Sequence, residues 1–175
     1  GPFAICAWDP LVLPPVSPGG NCIAIAPVII DSAHANVYSR VALFDANGNI
    51  VATIFPNGFS LGTMTTSLFV NQTGIPRSVN NHFYLDRNIS ITASGFGSFR
   101  VRLFVKNSEL NALKAADPTV TSIKDLQITR TSTACQSLFS GAPVLIHQDT
   151  SISYGADHFV EYSTATFSSY YLAGA

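Results

Sequence analysis

The chain reads as an all-β protein, an antiparallel two-sheet β-sandwich of about eight to ten strands with one short helix. Three observations predict it. Period-two alternation of apolar and polar residues recurs along most of the sequence, turn signals separate the alternating segments at the spacing of a sandwich, and only one segment carries a helical pattern. With 175 residues the chain can bury one hydrophobic core and would crowd two. A single domain over residues 22–175 is therefore expected.

Residues 1–21 read as a tag remnant and a Pro-rich lead-in. Gly1-Pro2 has the look of a cleaved expression tag, so the natural sequence is expected to start at Phe3 as a piece of something longer. Asp9 to Gly20 then holds four of the ten prolines, a density that forbids helix and interrupts a central strand. The first apolar strand covers Ile23 to Ile30. Asn47-Gly48 supplies the next signal, a turn suited to two residues with positive φ. With it at the tip, Leu43 opposes Ala52, Val41 opposes Ile54 and Phe44 opposes Val51. Pro56-Asn57-Gly58 turns the chain into a strand from Met64 to Val70, which the segment Gln72 to Pro76 breaks.

Tyr84 to Ile91 and Phe99 to Lys106 alternate on either side of a Gly-containing loop and predict a hairpin. In that register Ile91 faces Phe99, Ile89 faces Val101 and Leu85 faces Val105 on one apolar face. Arg87 falls on the same face opposite Leu103. A buried guanidinium needs a partner, so Arg87 calls for a carboxylate, a shifted register or a sheet end to snorkel from. Tyr84, Asp86, Asn88, Arg100, Arg102 and Lys106 share the other, wet face, with Asp86 and Arg102 placed as diagonal partners. The helix follows at Glu109 to Ala116, capped by Asn107 or Ser108, stopped by Asp117-Pro118, and docking through Leu110 and Leu113. Further strands are expected in Ser122–Arg130, Pro143–Ile152, His158–Ser163 and Phe167–Leu172.

Hydrophobic residues make up 47% of the chain and charged residues 11%, so hydroxyls and amides must build much of the surface, as suits an extracellular β protein. The net charge is −1 with the basic residues scattered, which leaves no stripe for nucleic acid or an anionic membrane. The apolar runs are too short to span a bilayer, so no membrane insertion is expected. Three cysteines leave one odd. Cys22 with Cys135 is the favoured pair in an oxidising compartment; Cys6 with Cys22 is the rival, and three free thiols the remaining alternative.

The ten acidic residues form no motif for a glycosidase pair. The histidines lack metal spacing, and no Gly-x-Ser-x-Gly elbow or phosphate loop occurs. Asp45-Ala46-Asn47-Gly48-Asn49 presents part of a calcium ligand set, but the hairpin turn accounts for it. No catalytic, metal or cofactor site is expected. Asn71-Gln72-Thr73 and Asn88-Ile89-Ser90 match the N-glycosylation pattern.

The succession Asp45-Ala46-Asn47-Gly48-Asn49-Ile50, Leu61-Gly62-Thr63, Tyr84-Leu85-Asp86-Arg87-Asn88, Val101-Arg102-Leu103 with Asn107-Ser108-Glu109-Leu110, Val120-Thr121-Ser122-Ile123, Phe159-Val160-Glu161-Tyr162 and Phe167-Ser168-Ser169-Tyr170-Tyr171 resembles a module of large Bacteroidetes surface proteins. In those proteins it sits just before the C-terminal sorting domain of the type IX secretion system. The resemblance runs from about Cys22 to Ala175. It implies a disulfide between the matching positions Cys22 and Cys135, and it implies secretion to the cell surface or beyond. It brings no catalytic residue with it.

Two functions follow as expectations. The first is a non-catalytic structural, presentation or adhesion module whose partners are neighbouring domains of the same polypeptide. The second is a carbohydrate-binding module, in which exposed aromatic rings stack on a polysaccharide. The sugar-stacking candidates are Tyr38, Phe69, Tyr84 and Tyr154, drawn from a wider set that includes Trp8, Phe55, Phe59 and Tyr170.

Overall fold

The computed structural model describes residues 21–32, 40–71, 75–139, 141–165 and 168–174. In chain order the strands are β1 (Ile23–Ile30), β2 (Val41–Phe44), β3 (Ile50–Phe55), β4 (Gly62–Val70), β5 (Arg77–Val79), β6 (His82–Tyr84), β7 (Arg87–Ala93) and β8 (Phe99–Val105). Helix α1 (Asn107–Ala116) and a single 3₁₀ turn (Ile123–Asp125) precede β9 (Leu126–Thr131), β10 (Val144–Ile146), β11 (Thr150–Tyr154), β12 (Asp157–Thr164) and β13 (Ser169–Gly174). They form a two-sheet antiparallel sandwich. The smaller sheet runs β11-β12-β8-β3-β2. The larger runs from β1 through β4 and β7 to β13, with β9 and β10 beyond it and the short β6 and β5 completing it. β6 and β7 lie end to end along one side of β13, because Tyr84 pairs with Ala173 and Ile89 with Tyr170.

The hairpin around Asn47-Gly48 forms, with Val41 paired to Ile54 and Leu43 to Ala52, but its turn is not the predicted one: Gly48 alone of the two takes a positive φ, +79°, and its amide donates to the Asp45 carbonyl at 3.1 Å. A register shift then sets Phe44 against Ile50 in place of Val51. The expected strands number fewer than those described, because the alternation around Tyr84 and the segment 143–152 each break into two short strands and because β5 is not among those expected.

The predicted hairpin between Tyr84–Ile91 and Phe99–Lys106 does not form. β7 lies between β4 and β13 in the larger sheet, whereas β8 lies between β12 and β3 in the smaller one. Their alternation is as expected, with Ile89, Ile91, Phe99, Val101 and Val105 all buried in one core. They meet across that core instead of side by side. The reason lies in the loop. The Ser94 and Gly95 amides donate to the Thr63 and Leu61 carbonyls at 3.1 and 2.8 Å, which fastens the end of β7 to the start of β4 and sends the chain over to the other sheet. A Cβ at Gly95 would lie 2.5 Å from the Ser60 carbonyl oxygen, so glycine is required by the close approach. Asp86 and Arg102 consequently sit on different sheets, and the ion pair expected between them is replaced by one between Arg102 and Glu161.

Arg87 has the carboxylate it needs. Its Nε lies 3.2 Å from Glu109 Oε2 with both side chains buried, and its Nη2 donates to the Phe104 carbonyl. Glu109 sits in the first turn of α1, two residues after the observed start at Asn107, so the helix begins earlier than predicted and neither Asn107 nor Ser108 is its cap. Glu109 Oε1 accepts from the Lys106 amide at 2.9 Å, and Asp157 Oδ1 accepts from the Asn107 amide at 2.8 Å. These two carboxylates satisfy the amides of the N-cap residue and of the first helical residue, and place negative charge at the positive end of the helix. Leu110 and Leu113 pack into the core as the pattern predicts.

The outer face of the larger sheet is not wet where Tyr84, Asp86 and Asn88 lie; all three are buried. The segment 132–139 crosses it. The Tyr171 hydroxyl donates to the Gln136 carbonyl at 2.9 Å, Ser169 Oγ donates to the Thr133 carbonyl at 2.7 Å, and Phe139 packs edge-on against Tyr84 and Tyr171. Arg77 is buried beneath the strap, donating to the Leu85 and Ser137 carbonyls and to Asn88 Oδ1. Burial lowers its pKa to about 10. Cys135, in the strap, is disulfide-bonded to Cys22 just ahead of β1. The pairing favoured from the sequence is the one observed; Cys6 lies outside the described residues.

Candidate functional site

The outer face of the smaller sheet is built differently. Alternation along β8 turns Arg100, Arg102 and Phe104 outward, and antiparallel pairing with β12 sets them beside Ser163, Glu161 and Phe159. β3 adds Thr53 opposite Arg102 and Phe55 opposite Arg100. The register shift near Phe44 brings Ile50 into the cluster of Phe104 and Phe159, where Tyr154 also packs. Phe104 meets Tyr154 edge-on at 5.2 Å and Phe159 at 5.9 Å.

Charge is concentrated at the other end of this face. Glu161, almost fully buried, accepts from Arg100 Nη1 at 3.0 Å and from Arg102 Nε at 2.7 Å. Three guanidinium centres, those of Arg40, Arg100 and Arg102, lie 4.5, 4.8 and 5.0 Å from the centroid of the single Phe55 ring. Arg102 also stands 4.5 Å from the Phe159 ring centroid. Burial first, and then the nearby positive charges of Arg102 and Arg100, push the Arg40 pKa below its ordinary value against an opposing pull from Glu161. Between the two ends lies a groove of about 250 Å³ lined by Arg40, Thr53, Arg102, Phe104, Tyr154 and Phe159 among others. It presents the half-buried Tyr154 ring over the buried Phe104 and Phe159, with the cationic donors of Arg40 and Arg102 at its other end.

The sugar-stacking candidates divide. Tyr154 is half-buried and lines this groove. Phe69 is buried on the opposite sheet, 5.3 Å from the Arg77 guanidinium, so it offers no platform. Tyr84 is buried too, beneath Phe139, although its edge lines a second cavity of about 440 Å³ with His82, Asn80 and Pro143. Tyr38 and Trp8 lie outside the described residues. Arg87 is a structural ion-pair residue, as its burial with Glu109 requires.

The groove residues Arg40, Phe104 and Phe159 escaped the sequence reading. Part of the signal was present, since Arg100, Arg102 and Phe104 recur at every second position of one strand. Their neighbours Phe159 and Glu161 arrive from a strand more than fifty residues later, and only the pairing of β8 with β12 joins them.

Asp45, the first residue of the incomplete calcium set, spends its carboxylate on the turn. Oδ1 accepts from the Asn47 and Asn49 amides at 2.8 and 2.9 Å, and Oδ2 accepts from Asn49 Nδ2 at 3.0 Å. Among the described residues no group of three or more His, Cys, Asp or Glu side chains is placed to hold a metal ion. No described helix is long and apolar enough to cross a membrane. In comparisons with protein families, curated proteins and solved structures, no match to this chain was found.

Proposed function

We propose that this chain is a non-catalytic β-sandwich module of a larger secreted or cell-surface protein, acting as a structural, presentation or adhesion domain beside other domains of the same polypeptide. The observation that carries the reading is the Cys22–Cys135 disulfide, which straps the segment 132–139 over the larger sheet. Disulfides of this structural kind persist in oxidising compartments, and the resemblance to the Bacteroidetes surface module supports the same extracellular placement and export by the type IX route.

A carbohydrate-binding role is the second reading, favoured by the groove that joins the half-buried Tyr154 ring to the exposed Arg40. Aromatic floors flanked by polar donors hold sugar rings through stacking and hydrogen bonds. A glycan-array screen of the purified domain, with and without calcium, separates the two, with a thiol titration run on the same sample. One reactive thiol and no glycan binding supports the presentation role. Specific binding moves the assignment to recognition, and three reactive thiols without reductant would remove the disulfide on which the first reading rests.

A further inference from the structure

The excess of positive charge at one end of the groove has no structural use that its neighbours explain. Arg100 and Arg102 hold and neutralise Glu161, whose carboxylate is nearly inaccessible to solvent. Arg40 is different. It is exposed, it forms no salt bridge among the described residues, and its guanidinium lies over the face of Phe55. Placing a third guanidinium over a ring already flanked by two costs repulsion, which one carboxylate offsets only in part. An anionic ligand removes that imbalance. A guanidinium presents a planar fork of donors matched to carboxylate and sulfate oxygens, and it remains charged at any physiological pH.

The other end of the groove narrows the class of anion. Tyr154, half-buried and packed against the buried Phe104 and Phe159 rings, supplies the aromatic surface there, and Thr53 lines the wall beside Arg102. An inorganic anion has no use for such a ring, and a run of acidic residues has no flat face to lay on it. A sugar unit bearing an acidic substituent has both an apolar ring face and a charged group, a few ångströms apart.

We propose that the groove on the outer face of the smaller sheet binds an acidic saccharide, with Arg40 taking the carboxylate or sulfate group and the ring of Tyr154 taking the sugar ring. This rests on the carbohydrate-binding reading and specifies its ligand class. The excess charge selects acidic over neutral sugars, and Arg40 is the residue that carries the selection, because its charge is not committed to Glu161.

Titration calorimetry on the whole chain tests this with four probes: tetragalacturonate, its fully methyl-esterified form, a sulfated tetrasaccharide and tetraglutamate. Methyl esterification keeps the sugar rings and removes the charge. The proposal expects binding of the uronate or the sulfated probe, or both, that weakens with added salt, and at least tenfold weaker binding of the ester and of tetraglutamate. Arg40→Gln should weaken acidic-sugar binding by about tenfold, the size expected for one charge-assisted contact. Lys124→Gln, which removes an exposed positive charge at the 3₁₀ turn, should leave it unchanged. Equal binding of ester and uronate, or an Arg40→Gln variant that binds normally, overturns the acidic-sugar assignment while leaving carbohydrate binding standing. Tetraglutamate binding as tightly as the sugars overturns it in favour of a general anion surface. No saccharide binding at all overturns both this proposal and the reading beneath it.

Discussion

Arg87 on β7 and Glu109 on α1 form a buried ion pair, 3.2 Å from Nε to Oε2, that ties the larger sheet to the helix following the smaller sheet's central strand. Such a pair adds little against an apolar alternative, yet removing one partner strands the other charge. Glu109→Ala should therefore destabilise the domain by about 3–5 kcal/mol. Combining Arg87→Met with it should recover most of the loss. Urea denaturation of the two variants measures both effects.

Tyr162 presents the converse case. Its ring packs against Tyr170 at 5.2 Å across the core, but its buried hydroxyl has no hydrogen-bond partner among the described residues. An orphaned hydroxyl of this kind carries a desolvation penalty of about 1–3 kcal/mol. Tyr162→Phe keeps the ring and removes the penalty, so it should raise stability by about 1 kcal/mol or more, visible as a higher Tm.

Alkaline pH should unfold the domain through its buried tyrosines. Burial holds Tyr170 and Tyr171 up at about 12, with opposing contributions from Thr164 and Arg130 at Tyr170 and from Arg77 at Tyr171. In the unfolded chain a tyrosine ionises near about 10. Between these values the folded state retains protons that the unfolded state has released, so stability falls as pH rises through that window. Tyr171→Phe should lessen the alkaline loss, and tyrosinate absorbance followed against pH should show late-ionising groups in the folded protein.

The arch between the sheets depends on a single small residue. Because a Cβ at Gly95 would meet the Ser60 carbonyl oxygen at 2.5 Å and Leu61 backbone atoms at under 3 Å, Gly95→Ala must displace backbone. A loss of about 2–3 kcal/mol is expected in equilibrium denaturation, whereas Gly141→Ala, with nothing within 4 Å but φ +84°, should lose only about 1 kcal/mol from its strained φ.

Much of this fold was legible because alternation records which side of a strand faces the core. Ile89, Ile91, Val101 and Val105 were assigned to a buried face and are buried. Alternation does not record whether the opposing residue lies beside the strand or across the sandwich, and β7 and β8 show how the two are confused. The Asn47-Gly48 hairpin escaped that ambiguity because its turn chemistry is local. Phe69 and Tyr84 were mistaken for exposed rings for a related reason: the strap that covers their sheet comes from residues 132–139, held there by a disulfide and by Arg77, and nothing in the sequence near either aromatic announces it. Arg87 was the opposite case. A charge on an apolar face demands a partner, and the demand could be stated before Glu109 was identified.

The central claim is that a Cys22–Cys135 bond closes a sandwich made for an oxidising environment, and peptide mapping by mass spectrometry without reduction tests it most directly. Protein produced in such an environment should yield a peptide pair joined through Cys22 and Cys135, with Cys6 carrying the alkylating label. Breaking that bond, which spans 113 residues of sequence, should then lower stability by about 4–5 kcal/mol. A Cys6–Cys22 linkage, or three labelled cysteines, would contradict the account.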